Sequence, residues 1–244
     1  MTGRIDHLDL IEVALPGGKV VFTTRSGGVS RGPWESLNLG FDCGDRAQSV
    51  IDNRLRLAGG IGMEPDRFRA SRQVHGGRIQ VHSEPIGEGP FLTPEAGLEE
   101  ADGHFTEVAR LPLVVTVADC AAVFVSGPRG VALLHCGWRG LLTDLIPRGA
   151  EATGGGEAVI GPCIGSCCFR VGREVRELFP ADDGLQSDRL DIAQLASAQL
   201  AEAGITNVEN VGRCTSCEEG DFFSYRRDGG VTGRQAAVAW RTGA

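Results

Sequence analysis

The chain has 244 residues, of which 41% are hydrophobic and 23% charged, and it carries a net charge of −8. That much apolar material can build a real core, and the acidic balance argues against a general nucleic-acid binder. No apolar run approaches the length of a bilayer span. The opening residues MTGRIDHLDLIEV lack the apolar segment of a secretory signal, so the expected location is cytoplasmic, without membrane contact.

In chain order, residues 19–24 (KVVFTT) read as a strand running into Arg25-Ser26-Gly27-Gly28-Val29-Ser30. The paired glycines permit positive φ and close backbone approach, so Arg25 with these amides can form an anion-binding turn. A plain glycine turn is the alternative. Basic residues elsewhere are almost all arginine, Lys19 being the only lysine, and guanidinium groups suit bidentate recognition of phosphate or carboxylate. Residues 32–40 form a turn-rich loop. Asp45 is placed to cap a helix through Ala58 that buries Val50, Ile51, Leu55 and Ala58 and ends at Gly59-Gly60. Ser71-Arg72-Gln73-Val74-His75-Gly76 then sets a histidine before a glycine, where backbone and side chain can both approach a ligand. A strand over 78–82 follows, and residues 83–100, rich in Pro, Gly and Glu, read as a surface loop or lid.

The most informative stretch is 111–140 (LPLVVTVADCAAVFVSGPRGVALLHCGWRG). Residues 111–117 and 131–134 read as buried strands, the first delivering Asp119 and Cys120, the second His135. Pairing of the two runs in one sheet would let Cys120 and His135 meet near its end. Such a thiol and imidazole can be a nucleophile and its base, or two ligands of a soft divalent metal. A buried cysteine beside a hydrogen-bonded histidine is the plainer reading.

A helix over 141–152 is expected next, then a glycine break at 154–156, a strand over 157–160 and a turn over 161–168. A short helix over 172–179 precedes a capping box, Asp191 with Gln194, that opens a helix burying Ile192, Leu195, Leu200 and Ala203 up to Gly204. Strands over 208–211 and 235–240 complete the pattern. Arg226 and Arg227 lie on a glycine-flanked loop and are expected to be solvated. There is no internal repeat and no linker, so a single α+β domain is the expected fold.

Eight cysteines stand at 43, 120, 136, 163, 167, 168, 214 and 217. In a chain this large without a secretory signal they are expected to be reduced. Cys214-Thr-Ser-Cys217 is a CxxC, but a zinc knuckle wants a second such pair. Free thiols in small-residue turns are therefore expected there, not an all-cysteine zinc site.

The motifs TRSGGVSRGPWESLNLG, SRQVHG, VADCAAVF, LLHCGWRG, GPCIGSCCFRVG, CTSC and FFSYRRDGGVTGRQAAVAW recur in order along nearly the whole chain. With them the chain resembles the laccase-domain proteins, also called multicopper polyphenol oxidase or purine nucleoside phosphorylase family proteins, relatives of a human macrophage purine enzyme. It departs from their pattern at Cys136, where alanine is usual, and at Phe169, where tyrosine is usual. Cys136 leaves open a second sulfur ligand beside His135. The resemblance implies mixed β-sheets flanked by helices and one zinc ion held by His75, Cys120 and His135, with copper as a substitute. It implies phosphorolysis of adenosine, inosine and methylthioadenosine together with adenosine deamination, on small-molecule nucleoside and phosphate, as monomer or homodimer. In that scheme Cys120 and His135 are catalytic. Arg25 clamps phosphate, Ser36, Asn38, Arg72 and Gln73 support sugar or base, and Arg226 and Arg227 are remote helpers. Bacterial members also suggest hydrolytic editing of peptidoglycan precursors bearing the wrong amino acid, with Cys120 or zinc-bound water attacking an amide. Copper-dependent phenol oxidation is the weakest reading, because five histidines cannot build several multi-histidine copper centres.

Overall fold

Two β-sheets stack face to face, each shielded on its outer side by helix. The computed structural model describes residues 2–5, 8–84, 89–94, 97–179 and 188–243. The first sheet runs in the order β1 (Thr2–Ile5), β2 (Leu8–Leu15), β3 (Gly18–Thr23), β11 (Gln235–Arg241) and β6 (Leu113–Val117), antiparallel throughout. The second runs β10 (Asn207–Asn210), β9 (Glu157–Ile160), β7 (Ala121–Gly127), β8 (Gly130–Cys136), β5 (Gly103–Thr106) and β4 (Ile79–His82). Its two outermost pairs are parallel and the rest antiparallel, so this sheet is mixed.

Period-two alternation decides which side chains meet. On β7, Ala122 and Phe124 face the first sheet, where Phe22, Val115 and Ala237 wait; Ala121, Val123 and Val125 face helices on the other side. Those helices are α2 (Leu145–Thr153) and α4 (Ile192–Glu202), whose Leu145, Ile146, Leu195 and Leu200 are fully or almost fully buried. Each such side chain contributes roughly 1.5–3 kcal/mol by leaving water. A single turn, α3 (Arg173–Arg176), adds Val175 to the same core. Helix α1 (Ala47–Gly60) covers the outer face of the first sheet, with Leu57 and Ala58 against Leu10, Val21 and Val238. The result is the α+β class that the sequence predicts, in a single domain; of the mixed sheets flanked by helices that the resemblance implies, the second sheet is mixed and the first is wholly antiparallel.

Several local expectations differ. The inward face of α1 is Val50, Asn53, Arg54, Leu57 and Ala58, while Leu55 is 42% exposed. The face is rotated because two polar side chains are its anchors. Asn53 accepts from the Val29 amide at 2.8 Å and donates to the carbonyls of Ser36 and Asn38, and Arg54 donates to the carbonyls of Leu39 and Phe91. Hydrogen bonds to such partners offset the cost of burying polar groups, so they can occupy the inward face. Asp45 does not cap α1; its carboxylate accepts from Ser30 Oγ at 2.6 Å and Asn38 Nδ2 at 2.9 Å, and Arg46 occupies the N-cap. The helix expected over 141–152 is split into a 3₁₀ turn, Gly140–Leu142, and α2, which starts after Asp144 and ends on left-handed Gly154. At the other cap, Asp191 Oδ1 accepts the Gln194 amide at 2.9 Å, as its sequence predicts.

The lid expectation for residues 83–100 also changes. Its Pro90–Leu92 turn inserts Phe91 beneath α1, stacked on Phe68 with ring centres 4.0 Å apart, so this part is anchored in the core. Residues 85–88 and 95–96 of that stretch lie outside the described residues.

Candidate functional site

Contrary to the sequence expectation, residues 113–117 and 130–136 do not pair with each other: β6 belongs to the first sheet and β8 to the second. What joins Cys120 to His135 is the β7–β8 hairpin, in which Ala122 pairs with His135 and Ala121 with Cys136. Asp119, at φ +88°, turns the chain from β6 into β7 and leaves Cys120 at the hairpin's open end. The third member arrives from the loop before β4, where His75 takes a left-handed φ of +61°. The ligating atoms of His75, Cys120 and His135 all lie within 4.8 Å of one another.

One buried carboxylate arranges this group. Asp102 accepts the backbone amides of Val74, His75 and Gly76 at 3.1, 2.8 and 2.7 Å, fixing the loop that carries His75. Its Oδ1 also accepts His135 Nδ1–H at 2.8 Å, and its own carbonyl accepts the His135 amide at 2.7 Å. With Nδ1–H bonded to Asp102, His135 directs Nε2 toward Cys120. Burial would raise the Asp102 pKa, but the bonds from His135 and the Gly76 amide outweigh it and hold the group ionised below its usual range.

The thiol and imidazole perturb each other. Burial pushes the Cys120 thiol up, yet the charge and hydrogen bond of His135, with help from His75, bring it down to about 6. Burial pushes His135 down, yet Cys120 and Asp102 hold it up at about 9. A thiolate-forming cysteine beside two imidazoles is a donor set for a soft or borderline divalent ion, and three protein ligands leave a position for substrate or water. Gly137 makes room for it: a Cβ there would stand 2.7 Å from Cys120 Sγ and 3.3 Å from His75 Cδ2.

The group opens into a cavity of about 500 Å³, within the range of small-molecule sites. Arg72, Arg139, Arg226 and Arg234 line it, together with Trp138, Phe169, Tyr225, Ile164 and Ile192. Arg139 lies over Trp138 at 4.2 Å and makes no hydrogen bond or ion pair among the described residues, so its guanidinium is available. Arg226 lies over Phe169 at 4.8 Å and donates to the Arg170 carbonyl. Arg72 is paired with Glu100 at the rim.

Of the residues singled out in the sequence, Arg72 and Gln73 reach the cavity, and Arg25, Ser36 and Asn38 do not. Arg25 is spent on structure: it donates to the carbonyls of Glu35 at 2.7 Å and Glu219 at 3.0 Å and lies over Phe223 at 4.6 Å. Gly28 is needed for packing, because a Cβ would meet the Ser36 carbonyl at 2.1 Å. Ser36 Oγ donates to the Arg25 carbonyl and accepts the Gly28 amide. Asn38 is buried and knits Gly40, Asp45 and Arg234 together. The Gln73 amide grips Thr116 of β6 through both its oxygen and its nitrogen, each at 2.8 Å. Cys136, one step along the pleat from His135, points into the helical core with its thiol pushed up by burial, and is no second ligand. Arg227 is held by Asp228 and the carbonyls of Thr215 and Phe222. Sequence reasoning missed Asp102, Arg139 and Arg234. The signals available were the ADGH motif for Asp102, GWRG for Arg139 and VTGRQ for Arg234.

Comparison with known proteins places this architecture. Residues 19–242 match the family model described as multi-copper polyphenol oxidoreductase laccase. A Geobacillus stearothermophilus protein named purine nucleoside phosphorylase YlmD is 36% identical, over 92% of this chain and 90% of its own. An Escherichia coli protein named purine nucleoside phosphorylase YfiH is also 36% identical, over 89% of this chain and 91% of its own. Among solved structures, a Bacillus licheniformis hypothetical protein YfiH superposes with a TM-score of 0.86 at 30% identity, covering 97% of both chains.

Proposed function

The chain belongs to the multi-copper polyphenol oxidoreductase laccase family, and on that footing we propose that it is a metal-dependent purine nucleoside phosphorylase. The reading extends to adenosine, inosine and methylthioadenosine as substrates, with adenosine deamination at the same site. The observation that carries it is the convergence of His75, Cys120 and His135 on a cavity lined by four arginines and by the rings of Trp138, Phe169 and Tyr225. Relatives that are named purine nucleoside phosphorylases support it.

Phosphorolysis joins a phosphate oxygen to C1′ of the ribose and breaks the bond to the purine nitrogen. The protein must then hold a dianion beside a flat apolar base. In this reading Arg139, stacked on Trp138 and without a hydrogen bond or ion pair among the described residues, takes the phosphate, with Arg226 and Arg234 adding positive field in a partly enclosed site. Phe169, Tyr225 and Trp138 offer faces on which a purine can stack. The clamp thus moves from Arg25 to the arginines of the cavity.

A zinc ion fits the donor set: His75 and His135 with Cys120, the second imidazole oriented by Asp102. When bound, it supplies a Lewis acid and a fixed positive charge at the cavity floor. Copper can compete at such ligands. Multicopper oxidation is not supported, because among the described residues His82 and His104 bond each other at 3.0 Å and are absent from the metal-ligand groups.

A second reading follows from one arrangement. Asp102, His135 and Cys120 form a carboxylate–imidazole–thiol series of the kind that activates a nucleophile, which suits hydrolysis of an amide such as that of a peptidoglycan precursor. The deciding experiment incubates purified, metal-defined protein with adenosine and phosphate. Phosphate-dependent release of adenine and ribose 1-phosphate is expected. Inosine alone would reduce the activity to deamination, and no product from any nucleoside would leave the amide reading.

A further inference from the structure

Four thiols outside the cavity gather where two loops leave the second sheet. Cys167 and Cys168 come from the turn after β9, Cys214 and Cys217 from the turn after β10, and their sulfurs all lie within 4.8 Å of one another. Cys167 Sγ is 3.6 Å from Cys214 Sγ and 3.5 Å from Cys217 Sγ, and Cys168 Sγ is 3.3 Å from Cys217 Sγ. These separations far exceed the ~2.05 Å of a disulfide bond, and every cysteine is a free thiol. They approach the ~3.8 Å edge of a sulfur tetrahedron drawn at ~2.3 Å around a zinc ion.

The surroundings suit a metal thiolate. The Gly165 amide donates to Cys214 Sγ at 3.2 Å. Gly165 packs closely on the cluster: a Cβ there would stand 3.1 Å from Cys167 Sγ and 3.5 Å from Cys214 Sγ. Arg189 donates to the carbonyls of Ser166 and Cys167, which sets a positive charge beside the cluster. The two loops are also in register without any metal, because the Cys163 amide donates to Arg213 and the Thr215 amide to Cys163.

We propose that Cys167, Cys168, Cys214 and Cys217 hold one structural zinc ion, separate from the group at the cavity floor. Four protein ligands close the coordination sphere, so the ion staples rather than catalyses. Binding exchanges four S–H protons, released to solvent, for one Zn²⁺; no electrons move, and the centre carries a net charge of −2. Both stapled loops grip Asp119, through the Ile164 amide on its carbonyl at 2.9 Å and Thr215 Oγ1 on Oδ1 at 2.7 Å. Asp119 makes the turn that presents Cys120. The staple therefore steadies one ligand of the neighbouring site from outside.

The test is zinc content of the reduced full-length protein, by native mass spectrometry and elemental analysis, after removal of loosely bound metal. Two zinc ions per chain are expected in the parent, with one left in the Cys214→Ser/Cys217→Ser variant and one left in His75→Ala. A single zinc that His75→Ala retains and the cysteine variant loses supports the staple even with the cavity group unfilled. Zinc content that the cysteine substitutions leave unchanged overturns it. Alkylation of the exposed Cys167 and Cys217 in the parent protein covers the case of a variant that fails to fold. Zinc should slow it at least tenfold and a chelator restore it; equal rates, or disulfides among these four in protein kept under reductant, overturn the proposal.

Discussion

Asp102 holds both histidines of the site with one oxygen: Oδ1 accepts the His75 amide and His135 Nδ1–H, each at 2.8 Å. Asp102→Asn keeps the shape but replaces one acceptor oxygen with an NH₂, which must face a backbone donor. Zinc affinity at the cavity group should fall by about 10- to 100-fold, and stability by about 1–3 kcal/mol from the donors left unpaired. Competition with a chromophoric chelator and urea unfolding measure the two. Unchanged affinity would show that the imidazole needs no such anchor.

Gly137→Ala should weaken the same metal group with little loss of fold, because its Cβ would press on Cys120 Sγ at 2.7 Å. Gly59→Ala in α1 is the control, having no atom within 4 Å of its added methyl. Both are read by chelator competition beside thermal unfolding. Equal affinities in the two variants would mean that the thiol relaxes away at no cost.

Arg139→Ala and Arg25→Ala should separate catalysis from scaffolding. Loss of the free guanidinium in the cavity should raise the KM for phosphate by about 10- to 100-fold, the worth of a charged hydrogen bond. Loss of Arg25 removes bonds to the Glu35 and Glu219 carbonyls, and should lower stability by about 1–3 kcal/mol with little change in KM. Steady-state kinetics at varied phosphate decides. The reverse pattern would return the clamp to Arg25.

The half-buried His82 and the buried His104 should stay neutral well into acid. Ser71 Oγ gives its proton to the Ala101 carbonyl, so His104 Nε2 must be the donor to Ser71, and His104 Nδ1 accepts from His82 Nε2 at 3.0 Å. Burial, with Arg69 near His82 and His82 near His104, lowers the two to about 4 and about 3. Their stabilisation is complete above the ordinary value of 6.5 and declines as pH falls through 6.5 toward 4, where only the unfolded chain takes up the protons. Ring nitrogen resonances in NMR should report both as neutral at pH 5. Acid titration of the unfolding free energy should show the accompanying decline between pH 6.5 and 4. Ring protonation near pH 6.5 would contradict this.

Much of the fold was legible because its causes are local. The β-branched run of β6, the apolar run of β8 and the Asp191 cap of α4 each depend on neighbours a few residues away. The three residues His75, Cys120 and His135 could be named from their motifs, Cys120 and His135 beside strand ends and His75 in the loop before β4. The α1 face was misread because polar Asn53 and Arg54, not apolar period alone, orient that helix.

The sequence by itself determined many of the elements, the α+β class and the residue types able to hold a metal, since propensity, alternation and turn chemistry act within a few residues; β2, β5 and β7 emerge only in the fold. Only the tertiary structure decided which of them meet. Stacking one sheet on the other, rather than pairing β6 with β8, buries Asp102 where it reaches both histidines and turns Arg25 inward onto backbone carbonyls. The same long-range packing gathers Cys167 and Cys168 with Cys214 and Cys217 across about 50 residues of chain. No local pattern encodes such a meeting, because it depends on where separate strands end once their apolar faces are covered.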